Sequence, residues 1–248
     1  MTTTQTNAAS HAVAAWPEQL SFPGQTAAHP GPVDMMMMYV MHHGFRRDLT
    51  AFAAAASATP PEDRTTWRAL AARWELFAEV LHHHHSGEDA GLWPTLLERA
   101  DEAERAVLVA MEAEHAEIDP ILTACAAGFE RLAHHADEDA RAALAVRLSA
   151  ARESLGRHLR HEETEAIAII QRVLTNEEWE QVEVEHFRKD VPFSRVLAIV
   201  PWAAHDVPGP LRRQVFAKTG RPNHLLWLLT RRGFERRERL AFRYLDRD

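Results

Sequence analysis

Two stretches of this chain set a histidine four residues ahead of a glutamate: His84-His85-Ser86-Gly87-Glu88 and His158-Leu159-Arg160-His161-Glu162. On a helix that spacing stacks an imidazole and a carboxylate one turn apart on one face. A neutral imidazole nitrogen and a carboxylate oxygen so placed can hold one metal ion between them. Spacing alone is weak, because the chain has four such pairs among its 16 histidines, including His134/Glu138 and His161/Glu165. The first two gain weight from matched surroundings: a second acid follows each glutamate (Asp89, Glu163), then an apolar pair (Leu92-Trp93, Ala166-Ile167). Two single histidines extend the pattern. His42 precedes Phe45 and Leu49, and His115 precedes Ile118 and Leu122, each at +3 and +7. The sum is four imidazoles and two carboxylates: His42, His84, Glu88, His115, His158 and Glu162.

Such a set needs helices that face one another. Residues 1–32, rich in Ala, Thr, Gly and Pro, read as a flexible N-terminal arm, with Trp16, Leu20 and Phe22 as apolar exceptions able to fold back. From Val33 an apolar period appears, Met35, Met38, Phe45, Leu49 and Phe52, and Pro60-Pro61 ends it. A second stripe, Trp67 to Leu81, runs through the four-histidine stretch to Leu97 with a kink expected at Pro94. Asp101 opens a third helix, with Pro120 a possible bend, and 133–139 reads as a turn. A fourth carries Leu144 to Val173, and Thr175-Asn176-Glu177-Glu178 resembles a capping box. The expected architecture is all-α: an up-down-up-down four-helix bundle over 33–175 and a helical C-terminal extension over 176–248. Helices of about 25 residues span about 37 Å, ample for a buried mid-length site.

Composition agrees with a globular chain: 46% hydrophobic and 26% charged residues over 248 positions. The net charge of −8 is unevenly spread. Residues 195–248 hold twelve Lys and Arg against five Asp and Glu, and the rest holds sixteen against thirty-one. The acidic part suits cations. The Arg-rich final helix, Asn223 to about Tyr244, also carries Leu225, Leu229 and Phe234, so docking on the bundle or a homodimer contact is favoured over nucleic acid. The lone Cys125 excludes an intrachain disulfide; no secretory signal or membrane span is visible, and cytoplasmic residence is expected.

The combined motifs resemble the hemerythrin-like, or His-His-Glu cation-binding, family. The matching stretches are His42-x-x-Phe45-Arg46-Arg47-Asp48-Leu49, His84-His85-x-x-Glu88-Asp89-x-x-Leu92-Trp93-Pro94, Met111-Glu112-Ala113-Glu114-His115 and His158-Leu159-x-x-Glu162-Glu163. The resemblance covers roughly 33–175. It implies two iron ions, oxo- or hydroxo-bridged, in a bundle with both carboxylates bridging, although these ligand types also suit manganese or zinc. It implies a small oxidant as partner: oxygen, peroxide or nitric oxide.

The oxygen-carrying branch of the family uses five histidines, two of them four residues apart on the third helix. Here Asp119 and Met111 stand four residues either side of His115, so a fifth imidazole is missing at that place. Tyr39 and Glu112, near His42 and His115, become candidates for a polar pair beside the metals or an extra ligand. An incomplete imidazole set opens a coordination position and favours an oxidoreductase acting on small oxidants. The alternatives are a non-catalytic oxygen or iron sensor, and a biosynthetic oxidase whose organic substrate enters between the arm or the extension and the irons. His42 is preferred to His43 and Glu162 to Glu163. His82, His83 and His85 are expected at the bundle surface or behind the ligands, and His161 with Glu165 as second-layer or surface groups. Met35–Met38 reads as core filler.

Overall fold

A computed structural model describes residues 15–189 and 191–245. Its long helices are α1 (Met36–Ala58), α2 (Arg64–Gly87), α4 (Glu102–His134) and α5 (Glu138–His161). The short α3 (Trp93–Leu97) and α6 (Ile167–Val173) prolong α2 and α5, and α7 (Asn176–Val182), α8 (Phe193–Ala203), α9 (Gly209–Thr219) and α10 (Arg221–Ala241) follow. The protein is all-α, and among the described residues no strand occurs.

Local chemistry sets the helix starts. Asp63 caps α2 by accepting from the Thr66 N–H at 3.1 Å. Asp101 and Glu104 form a capping box at α4, and Thr175 and Glu178 form one at α7. Asp137 caps α5. Pro120 lies inside α4 without ending it.

Four faces close the bundle: α1 against α2, α2 against α4, α4 against α5, and α5 against α1. The core is two apolar clusters. One holds Phe45, Phe52, Leu81, Ile118 and Leu155; the other holds Tyr39, Leu92, Met111 and Ala166. Each long helix passes from one cluster to the other, in the order second to first along α1 and α4 and first to second along α2 and α5. That alternation is up-down-up-down topology, and the switch in every helix falls at its histidines. Met35, Met36 and Met38 are buried in the second cluster as core filler.

Both copies of the repeated motif interrupt their helix at the glutamate. Glu88–Leu92 and Glu162–Ala166 are π-helical turns, closed by Trp93 N–H to Glu88 C=O and Ile167 N–H to Glu162 C=O. Pro94, with no N–H to give, falls just after the first turn, at the start of α3. The second turn has no proline, so proline is not the shared cause. A wide turn in a helix often marks a functional position.

The flexible arm needs correction over residues 15–32. Leu20 and Phe22 are buried, Gln19 donates to the Val33 carbonyl at 2.8 Å, and the Thr26 N–H donates to Glu163 at 2.7 Å. Trp16 stays exposed, and residues 1–14 lie outside the described residues.

The extension docks along the bundle. Trp202 of α8 lies over Gly44, where a Cβ would come within 2.8 Å of the indole, and its Nε1 donates to buried Asp48 at 2.6 Å. Arg73 of α2 joins Asp48 to Glu238 of α10. Phe234 and Ala241 face the bundle, whereas Leu225 and Leu229 are exposed. Among the described residues no helix is long and apolar enough to cross a membrane.

Candidate metal centre

Between the apolar clusters lies one layer of buried polar side chains in two groups. His42, His84, Glu88 and Glu162 present ligand atoms within 4.8 Å of one another, and so do His85, His115 and His158. The carboxylates join the groups. Glu88 reaches His84 Nε2 at 3.2 Å with one oxygen and His115 Nε2 at 3.5 Å with the other. Glu162 Oε2 is 3.1 Å from His42 Nε2 and 3.9 Å from His158 Nε2. All six side chains singled out by spacing meet here.

The seventh, His85, was expected to point elsewhere, and the structure corrects this. It is buried and stacks on His115 with centroids 3.8 Å apart and planes 10° apart. His84 and His85 are about 100° apart around α2. Because α2 packs against both α1 and α4, the pair can address both groups. A fifth imidazole therefore lies in the layer, on α2 and not on α4. The histidine run was the available signal.

Acids stand behind three of the imidazoles. His42 Nδ1 is 3.0 Å from Glu163, His115 Nδ1 is 2.8 Å from Asp89, and His158 Nδ1 is 2.9 Å from Glu114. Glu163 is itself held by both Nη atoms of Arg46, at 2.7 and 2.9 Å. A carboxylate at Nδ1 fixes the ring and favours the tautomer with its lone pair on Nε2.

Glu112 needs correction too. It is exposed, and Glu114, two residues on, reaches the layer and also bonds His161 at 2.8 Å. His161 is partly exposed and lies outside both groups, as does Glu165. His43 turns toward Phe22. His82 is exposed and His83 bonds the Phe187 carbonyl. His134, mostly exposed, pairs with Glu130 and not with Glu138. Tyr39 is buried, and its Oη has no hydrogen-bond partner among the described residues.

The electrostatics of the bare layer are strained. Burial and the neighbouring histidines press His84 and His85 well below the ordinary imidazole range. Burial acts the same way on His42, but Glu162 and Glu163 outweigh it and lift that ring to about 9. Burial, with Glu162 adding, pushes Glu88 well up, while His42 and the other rings hold Glu162 ionised against burial. Burial, then the charges of Glu163 and Glu162, raises the Tyr39 phenol.

Among the described residues, eight buried nitrogen and oxygen atoms of the layer have no hydrogen-bond partner: Nε2 of His42 and His84, both ring nitrogens of His85, and both oxygens of Glu88 and Glu162. Buried polar atoms are normally paired, and an unpaired one costs about 1–3 kcal/mol. Eight in one layer, all able to donate a lone pair in some protonation state, fit cations.

The family described as hemerythrin HHE cation binding domain matches residues 36–170. That span contains all seven clustered side chains. No curated protein and no solved structure matches the chain significantly.

Proposed function

The chain belongs to the hemerythrin HHE cation-binding family, and on that premise we propose that its polar layer holds two iron ions and reacts with a small oxidant. The carrying observation is the set of eight unpartnered buried atoms: six belong to the His42, His84, Glu88 and Glu162 group, whose two carboxylates also approach His115 and His158 at 3.5 and 3.9 Å, and two to His85 of the other group. His42 and His84 would hold one ion; His85, His115 and His158 the other; Glu88 and Glu162 would bridge. Manganese or zinc would accept the same donors.

Bound iron would supply one-electron redox chemistry to oxygen, peroxide or nitric oxide. The remaining work falls to the chain. Glu163, Asp89 and Glu114 orient His42, His115 and His158, and Arg46 fixes Glu163. Packed apolar clusters on both sides exclude water. Tyr39 keeps its phenolic proton and offers it beside Glu162 and Glu163. Five imidazoles weaken the argument for an open position that four would have made, so reversible binding stands level with oxidant reduction.

Anaerobic loading with ferrous iron followed by peroxide titration separates these outcomes. Reduction predicts about one peroxide consumed per chain, two electrons coming from two ferrous ions, with an optical change at the same equivalence point. No consumption above that of metal-free protein would overturn the oxidant reading.

A sensor reading has its own support. Trp202 of the extension packs on Phe45 at 5.7 Å between centroids, and Phe45 packs on His84 at 5.2 Å. Hydrogen exchange in α8 that differs between metal-loaded and metal-free protein would favour it; identical exchange would count against it.

A further inference from the structure

Helix α10 packs on the rest of the chain with one side. Phe234, Glu238 and Ala241 are buried there, and the Trp227 ring is approached by the guanidiniums of Arg212 and Arg231 at 5.0 and 4.8 Å. Its other side is bare. Five leucines are exposed among the described residues, and four of them belong to α10: Leu225 (58%), Leu228 (44%), Leu229 (72%) and Leu240 (42%). At about 100° per residue, these four fall within about 120° of arc, opposite Phe234. Single exposed leucines are ordinary, but leucines gathered on one unpartnered helix face mark a contact surface.

The charges on that face all have one sign. Exposed Arg221, Arg232 and Arg236 share the arc, and among the described residues no carboxylate lies within 4.0 Å of their guanidiniums. The two acids of α10 lie off it: Glu238 is buried on Arg73, and Glu235 is partly buried in the cleft beside Arg231. A partner must therefore offer the leucines an apolar phase and the arginines negative charge, side by side. Nucleic acid offers only the charge. A second α10 offers only the apolar contact, and in either direction it would bring arginines against arginines. The headgroup boundary of an anionic bilayer offers both.

We propose that the outer face of α10 is a peripheral docking surface for an anionic lipid membrane, with Leu225, Leu228 and Leu229 entering the interface and Arg221, Arg232 and Arg236 lying among the headgroups. No described helix is long and apolar enough to cross a membrane, so the contact is one of surface attachment. The chain's net charge of −8 orients it: an anionic surface repels the acidic bundle and attracts the basic face. The proposal does not rest on the metal reading, since α10 contains none of the clustered residues.

The test is co-sedimentation of the full chain with vesicles of phosphatidylcholine alone and of phosphatidylcholine with about one third phosphatidylglycerol, at low and high salt. The expected result is binding to the anionic vesicles, at least about tenfold weaker on the neutral ones and falling steeply with salt. Leu225→Gln with Leu229→Gln, and separately Arg232→Gln with Arg236→Gln, should each weaken binding about tenfold. Both pairs are exposed, so circular dichroism and Tm should stay as in the parent. No binding to anionic vesicles would overturn the proposal, as would equal binding to neutral ones or binding indifferent to the leucine pair in a folded variant. Duplex DNA binding that needs the arginines but not the leucines, without vesicle binding, would assign the face to nucleic acid and overturn it. Self-association that the leucine pair disrupts, again without vesicle binding, would assign it to a second copy with the same consequence.

Discussion

His85 separates two descriptions of the layer, one with four imidazoles and one with five. Replacing it with alanine should lower metal content toward one ion per chain, whereas His82→Ala, at an exposed position, should leave it unchanged; metal analysis of both variants decides this. Glu163 acts through His42, so Glu163→Gln should weaken metal binding about 10–100-fold, while Glu165→Gln should not; competition with a chelator measures both. The pH behaviour follows from His42. With a folded value of about 9 against an ordinary 6.5, the metal-free ring favours the fold fully below 6.5, and this contribution is lost as pH rises toward 9. Metal binding must expel that proton, so affinity should rise across pH 6.5–9. Calorimetry in buffers of different ionisation enthalpy should detect proton release at pH 7.

Helix by helix, much was legible in the sequence and some was not. The long helices, the capping residues and the four histidine positions rest on local periodicity and local hydrogen bonds, which a sequence displays directly. Glu112 and Glu114 differ in which reaches α5, and that depends on how α4 is rotated in the bundle, which spacing around His115 does not fix. The π turns at Glu88 and Glu162 left no distinctive local signal either. Docking of the extension was the least legible, because Trp202 fits Gly44 from 158 positions further along the chain. It also rests on a buried ion network. Arg73→Ala would take the guanidinium from buried Glu238 and leave Asp48 with Arg47 and Trp202, and should cost about 3–5 kcal/mol. For a chain of this size that is a Tm loss of roughly 10 °C. Arg99→Ala breaks an exposed pair with Glu178 and should cost less than about 1 kcal/mol. Thermal unfolding of the two variants side by side checks the contrast.

Across the whole molecule, the two apolar clusters explain why the polar layer can exist. A sheet of unpaired acids and imidazoles would be a liability in any fold, and here it is confined to one level between packed leucines, phenylalanines and tryptophans. The acidic bundle and basic extension, visible as a charge division in the sequence, meet in surface pairs of Arg195 with Glu79, Lys218 with Asp34 and Arg243 with Asp63, while the buried link runs the other way, from Arg73 of the bundle to Glu238 of the extension. The central claim is that this layer is a two-ion site with shared carboxylates. The most direct measurement is metal content per chain after iron loading and desalting, for the parent protein and for Glu88→Ala and Glu162→Ala. The account predicts two ions in the parent and loss of both ions, not one, in either variant that remains folded. One ion in the parent, or two ions retained after removal of a carboxylate, would contradict it.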